Sequence, residues 1–152
     1  MSEENAAAFG LAEVYLTFQG ATEPHHEPIT TSQAGWSLFK RYFDEHMDTY
    51  EAFRMILLDQ SRRPKGIFCV GKGGVCGALV DPRLIFAAAL KSLSTGLVFA
   101  HNHPSGSHCP SRRDLELTER LVKIGELHEI AVLDHLILSR NGYFSFADEG
   151  LI

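Results

Sequence analysis

Residues 96–114 read GLVFAHNHPSGSHCPSRRD. Gly96 opens a continuous apolar run, the pattern of a strand in the middle of a sheet covered on both faces. That strand delivers His101, a loop with two prolines follows, and a helix is predicted from Ser111. Pro104 turns His103 away from the helical region toward an extended backbone. In an extended segment residues i and i+2 face the same way, so His101 and His103 converge on one point. Asp114 falls in the first turn of the next helix, whose N-terminus faces back toward the strand end. The resulting H-x-H-x10-D pattern offers two nitrogens and one oxygen, and a catalytic zinc site typically keeps three protein ligands and an open position for water. Plainer readings stand beside this one. Ser111-x-x-Asp114 is also a helix capping box, and residues 102–106 also read as an ordinary turn. Cys109, in the same loop, is an alternative thiolate ligand.

Outward from this stretch, strands and helices alternate. Residues 1–10 are acidic and Ala-rich and are expected to fray. Val14, Leu16 and Phe18 alternate with polar or amphipathic neighbours as in a half-buried strand, and residues 20–30 read as a loop whose His25 and His26 are expected to be exposed. Thr31 or Ser32 caps a predicted helix to about residue 48, with Trp36, Phe39, Phe43 and Met47 on one stripe. Residues 50–59 form a predicted strand in which Glu51 shares parity with Phe53, Met55 and Leu57. A break at 61–64, a short strand at 66–70, a tight turn at 71–74 and a strand at 75–80 follow, all expected to be antiparallel. Asp81 caps the next helix with Pro82 at its first position, and Ala-rich residues 84–93 continue it. Beyond the central stretch come a helix over 111–128, a strand over 130–138, a hairpin signal at Asn141 and Gly142, and a returning strand over 143–146. This order predicts an α/β domain with a mixed β-sheet and helices on both faces.

Composition narrows the function classes. The chain has 152 residues, 45% hydrophobic and 22% charged, with a net charge of -5. That fits one core-bearing domain, here assigned to 28–152 behind a leader and strand at 1–27. No apolar run approaches the roughly 20 residues needed to span a bilayer, and the first residues lack a signal-peptide pattern. The expected compartment is cytoplasmic, with no membrane partner. Cys69, Cys76 and Cys109 have no framework spacing, so reduced thiols are expected. The negative charge argues against a whole-protein attraction to nucleic acid; the basic clusters at 62–65 and 112–113 read as solvated turn and helix faces. Gly71 to Gly74 lacks the ending of a phosphate-binding loop and reads as a hairpin turn.

A zinc hydrolase also needs a general base and a group to stabilise the oxyanion. Glu51 is the carboxylate best placed by parity, although it also reads as a strand-end carboxylate in solvent. Ser111 is the candidate oxyanion donor, unless the helix cap consumes its hydroxyl. Asp134 and His135 form either an outer layer that orients the loop or a buried structural pair.

Glu51, HNHPSG at 101–106 and PSRRD at 110–114 together resemble the JAMM (JAB/MPN) metalloprotease motif E-xn-H-S/T-H-x7-S-x2-D. With LDH at 133–135, SFADEG at 145–150 and the run at 70–90, the chain resembles the bacterial RadC-like branch over roughly residues 28–152. Asn102 stands where the broad motif carries Ser or Thr, a departure usual in this branch. The resemblance implies a fold similar to cytidine deaminases, Zn2+ held by His101, His103 and Asp114 with a water, Glu51 as general acid/base, and Ser111 steadying the transition state. Zinc deaminases themselves are disfavoured, because their H-x-E and P-C-x-x-C pair is absent. The implied activity is zinc-dependent hydrolysis of a peptide or isopeptide. The alternative is a non-catalytic, metal-braced interaction module near DNA transactions: the RadC-like name carries an association with DNA repair and so with nucleic acid, which the charge does not support.

Overall fold

The computed structural model describes residues 27–73 and 80–152. The expected leader, the strand at 14–18, and His25 and His26 lie outside the described residues, as do 75–79 of the strand expected at 75–80. The elements are α1 (Ser32–Phe43), β1 (Ala52–Leu58), β2 (Pro64–Lys72), α2 (Pro82–Lys91), β3 (Gly96–Asn102), α3 (Arg112–Leu127), β4 (Ala131–Ser139) and β5 (Gly142–Ser145). They build one five-stranded sheet in the order β2-β1-β3-β4-β5. β1 runs antiparallel to both β2 and β3, β3 is parallel to β4, and β5 turns back antiparallel. The expected mixed α/β architecture is the one observed.

Strand parity divides the core into two layers. Phe53, Met55 and Leu57 of β1 and Leu97 and Phe99 of β3 pack with Ile85 and Phe86 of α2 and Leu121 of α3. Ala52, Ile56 and Leu58, with Val98, Ala100, Leu136 and Leu138, meet Phe39 and Phe43 of α1 and Met47 on the other face. Every residue of β3 is buried, as a strand between two covered faces requires. The helix starts follow their caps: Thr31 accepts from the Ala34 N–H at 3.2 Å, and Asp81 accepts from the Arg83 N–H at 2.9 Å with Pro82 beginning α2.

Three boundaries depart from the sequence reading. α1 ends at Phe43, because the His46 N–H bonds to the Phe43 carbonyl and the Thr49 N–H to that of His46, drawing the chain into successive turns. Met47 stays buried all the same. β2 is longer than 66–70, because β1 pairs with it from Ala52↔Lys72 to Leu58↔Pro64; Gly71 and Lys72 are therefore strand rather than turn, and Pro64 sits at the strand start, where a missing N–H is tolerated. The hairpin pairs Ser139 with Gly142, so its turn is Arg140 and Asn141, with the Asn141 N–H donating to Ser139 Oγ at 3.2 Å.

Among the described residues no helix is long and apolar enough to cross a membrane. The basic clusters are solvated only in part: Arg62 and Arg63 are exposed and Arg112 pairs with Glu116 on the surface of α3, whereas Lys65 is half-buried and donates to the Ser92 and Leu93 carbonyls just past α2.

Candidate metal centre

At the end of β3 the backbone stays extended through His101 and leads into a turn in which the Gly106 N–H bonds to the His103 carbonyl at 2.9 Å. Gly106 has φ +79°, a left-handed conformation that glycine adopts without strain. The turn brings the Ser107 carbonyl to 3.0 Å from His103 Nδ1. A carbonyl only accepts, so Nδ1 carries the hydrogen and the lone pair of neutral His103 lies on Nε2. Ser111 caps α3: its hydroxyl and its backbone N–H both donate to Asp114 Oδ2, at 2.6 and 2.7 Å. The capping box is real, and it leaves Asp114 Oδ1 facing the histidines.

The three side chains meet. His101 Nε2 lies 3.0 Å from His103 Nε2 and 3.3 Å from Asp114 Oδ1, and His103 Nε2 lies 3.5 Å from Asp114 Oδ2. Zinc bonds of about 2.0–2.1 Å at a tetrahedral centre place neighbouring ligand atoms about 3.3 Å apart. The donor set and its spacing therefore fit zinc. Among the described residues, this is the group of His, Cys, Asp and Glu whose ligand atoms converge within 4.8 Å. Cys109 is exposed and outside that group.

Electrostatics at the cluster point the same way. Burial alone would raise the Asp114 carboxyl, but hydrogen bonds from His101 and His103, the charge of His101 and the hydrogen bond from Ser111 outweigh it and hold the carboxyl well below the usual carboxylate range. The Asp114 hydrogen bond raises His103 against the opposing effect of burial, with further help from the Ser107 carbonyl and the Glu51 charge. Lone pairs gathered around one point attract a cation, whether a proton or a metal ion.

Glu51 reaches the same place from β1. Phe53 pairs with His101 across β1 and β3, and continuing that antiparallel register by two residues sets Glu51 against His103. Glu51, His101, His103, Ser111 and Asp114 line one cleft of about 820 Å³, together with Phe53 and Arg113. The Phe53 ring stacks on His101, with centroids 6.1 Å apart and planes 10° from parallel. The five residues singled out in the sequence are thus brought together, although they span 64 positions, from 51 to 114.

A model of the RadC-like JAB domain matches residues 29–151. The chain belongs to the RadC-like JAB domain family. It is 36% identical over 123 residues to a UPF0758 protein of Flavobacterium johnsoniae, covering 81% of this chain and 53% of the relative. A UPF0758 protein of Syntrophotalea carbinolica is 35% identical over 147 residues, 93% of this chain and 64% of the relative. A third, from Symbiobacterium thermophilum, is 42% identical over 102 residues, 67% of this chain and 44% of the relative. The chain therefore spans 44% to 64% of the length of these relatives.

In this RadC-like JAB domain, two further layers support the cluster. The first is Asn102, fully buried between the two histidines in sequence and facing the opposite side of the sheet. Its Oδ1 accepts from the Ala52 N–H at 2.9 Å, and its Nδ2 donates to the carbonyls of Met47 and Tyr50 at 2.8 and 2.9 Å. It clasps the segment that carries Glu51. Sequence reading marked Asn102 only as a departure from a motif; strand parity gave its direction, but nothing local revealed partners 50 residues away.

The second layer lies behind His101. His101 Nδ1 is 2.8 Å from His135 Nε2, His135 Nδ1 is 2.6 Å from Thr118 Oγ1, and Thr118 Oγ1 donates to the Asp114 carbonyl at 2.6 Å. Burial, reinforced by the charge of His101, pushes His135 well below the ordinary histidine value. Asp134 faces away from this chain of bonds: it accepts from the backbone N–H groups of His135 and Ala147 and from the Ser145 hydroxyl. Asp134 is thus the structural member of the pair, whereas His135 touches the cluster.

Proposed function

We propose that this domain is a zinc-dependent metallohydrolase of the JAMM type, acting as a peptidase or isopeptidase. The observation that carries the reading is the meeting of His101, His103 and Asp114 at zinc spacing in a cleft that Glu51 also lines. His101 Nε2, His103 Nε2 and Asp114 Oδ1 would hold the ion. When bound, zinc would supply Lewis acidity that lowers the pKa of a water to about 7. Glu51, across the cleft, takes the proton from the attacking water and delivers it to the leaving nitrogen. Ser111 turns its hydroxyl from Asp114 Oδ2 to the developing oxyanion, while its backbone N–H keeps Oδ2 bonded. Arg113 sets a positive charge at the cleft edge.

The test joins metal content to cleavage. Elemental analysis of the purified protein should give one zinc per chain, lost in His103→Ala. A panel of peptides and Lys-linked isopeptides should be cut by the wild type and at least about 100-fold more slowly by Glu51→Gln, with zinc retained. Zinc-loaded, folded wild type that cuts nothing in the panel would overturn the peptidase reading, and a Glu51→Gln variant of full cleavage activity would remove that residue from the chemistry.

A further inference from the structure

We propose that Thr118 and His135 are a positioning pair that fixes His101 in its Nδ1–H tautomer, so that the Nε2 lone pair faces His103 and Asp114. The inference rests on the metal reading above for its purpose, but its content is the placement of two hydrogens.

The placement follows from the end of the chain of bonds. The Asp114 carbonyl can only accept, and Thr118 Oγ1 lies 2.6 Å from it. Two oxygens at that distance with no hydrogen between them repel, so the single hydroxyl hydrogen of Thr118 points to the carbonyl. Thr118 then has only lone pairs to offer His135 Nδ1 at 2.6 Å, and the hydrogen between them belongs to His135. Thr118, His135 and His101 are each at most 1% exposed, so water cannot stand in for any partner. Both ring nitrogens of the fully buried His135 are taken, by His101 and Thr118, and no carboxylate among the described residues bonds to the ring; as a neutral imidazole with Nδ1–H it presents a lone pair at Nε2. The hydrogen in the 2.8 Å contact with His101 therefore comes from His101 Nδ1. That leaves Nε2 as the His101 nitrogen directed into the cluster, and in the neutral ring it carries the lone pair.

Metal-binding histidines ordinarily donate the second ring N–H to a carboxylate, a carbonyl or water, which sets tautomer and ring orientation. Here a second imidazole takes that position and passes the demand to a threonine on α3. The chain of bonds ends on the backbone carbonyl of Asp114, whose own carboxylate is in the cluster. The bonds thus tie the start of α3 to the end of β3, and the tautomer of one cluster member is set by the helix that carries another.

Thr118→Val keeps the volume and shape of the side chain but offers no acceptor. His135 is then free to carry its hydrogen on Nε2, which turns His101 to the Nε2–H form. Zinc affinity, measured with zinc alone against a chromophoric chelator, should fall about 10- to 100-fold in Thr118→Val and stay within about 3-fold of wild type in Thr118→Ser, which restores the hydroxyl. Thr118→Val that is folded, by an unchanged metal-free thermal melt, and binds zinc as wild type does would overturn the proposal. A readout independent of variants and zinc is the 15N chemical shift pattern of the histidine rings in the metal-free wild type: a hydrogen on Nδ1 of both His101 and His135 is expected, and an unprotonated Nδ1 at either ring overturns the inference. If wild type takes up no zinc, the metallohydrolase reading fails and the ring tautomers alone decide this one.

Discussion

Asn102 and Ala52 are joined by a 2.9 Å hydrogen bond from the Ala52 N–H to Asn102 Oδ1, a side-chain link between the strand that bears His101 and the residue next to Glu51. With the Met47 and Tyr50 carbonyls on Nδ2, every donor hydrogen of the amide and one acceptor position are used in a fully buried site.

Asn102→Ala should cost about 2–4 kcal/mol, because three hydrogen bonds are lost and an N–H and two carbonyls are left without partners. Asn102→Asp should cost more at neutral pH, since a carboxylate would face those two carbonyls in a fully buried site. Urea denaturation of the metal-free protein reads both. Equal costs for Ala and Asp would show that the amide hydrogens are not what holds residues 47–52.

The cluster makes opposite demands on pH with and without metal. His103 is raised above its ordinary 6.5 by its hydrogen bond to Asp114. In the metal-free protein its contribution to stability is therefore complete below about 6.5 and lost as pH rises through the raised folded value. Asp114 is depressed, despite burial, by the two histidines, so its contribution is present above its ordinary value and lost only in strong acid. Zinc binding needs the His103 proton gone, so zinc affinity should rise over the interval in which the metal-free protein weakens. Denaturation at pH 5.5, 6.5, 7.5 and 8.5, with chelator and with zinc at one fixed concentration, about 100 times its Kd at pH 7.5, should show the curves diverging upward in pH. Zinc should add about 2.7 kcal/mol at that excess. Metal-free stability that climbs steadily to pH 8.5 would contradict this account of His103.

What the sequence made legible is what local chemistry dictates. The run at 96–100 is a central strand because all its residues are apolar, and Asp81 with Pro82 starts α2 because no other pair suits a helix start as well. The H-x-H parity and the Ser111 cap likewise put His101, His103 and Asp114 within reach of one another. Glu51 was readable by parity with Phe53, since its face is settled by alternation alone. Long-range pairing was not. The length of β2 is set by seven partners on β1, and the end of α1 by turns that leave carbonyls for Asn102. Thr118 looked like one more polar residue of α3; only the parallel pairing of β3 with β4, which sets Phe99 beside His135, brings the His135 ring under it.

Close packing at the end of α3 gives a test remote from the site. A Cβ on Gly125 would lie 2.5 Å from the Ile130 carbonyl oxygen and 3.3 Å from Val132 Cγ2, and the Gly125 carbonyl itself accepts from the Ile130 N–H at 2.9 Å. Alanine favours a helix interior by about 1 kcal/mol over glycine, so Gly125→Ala on an open helix face would stabilise. Here the clash is with backbone, and net destabilisation of about 1–3 kcal/mol is expected. A melting temperature at or above wild type would show that the α3–β4 turn gives way easily.

Asp134 supplies the last contrast, because its burial and its hydrogen bonds pull in opposite directions. Burial raises its pKa, and the bonds from Ser145, Ala147 and His135 only partly offset that. A raised folded value means that stability falls as pH rises from the ordinary carboxylate value through the folded one. Asp134→Asn removes this titration and keeps an oxygen for the backbone N–H groups of His135 and Ala147, which Oδ1 now serves at 2.7 and 3.0 Å. The new amide can donate to Ser145 Oγ once that hydroxyl reverses. Asp134→Asn should therefore sit within about 1 kcal/mol of wild type at pH 7 and show a flatter pH profile between 4 and 6, whereas Asp134→Ala should lose about 3 kcal/mol. An Asn variant as damaged as the Ala variant, measured by urea denaturation at pH 7, would mean that the charge of Asp134, rather than its acceptor oxygens, holds β4 to Ser145 and Ala147.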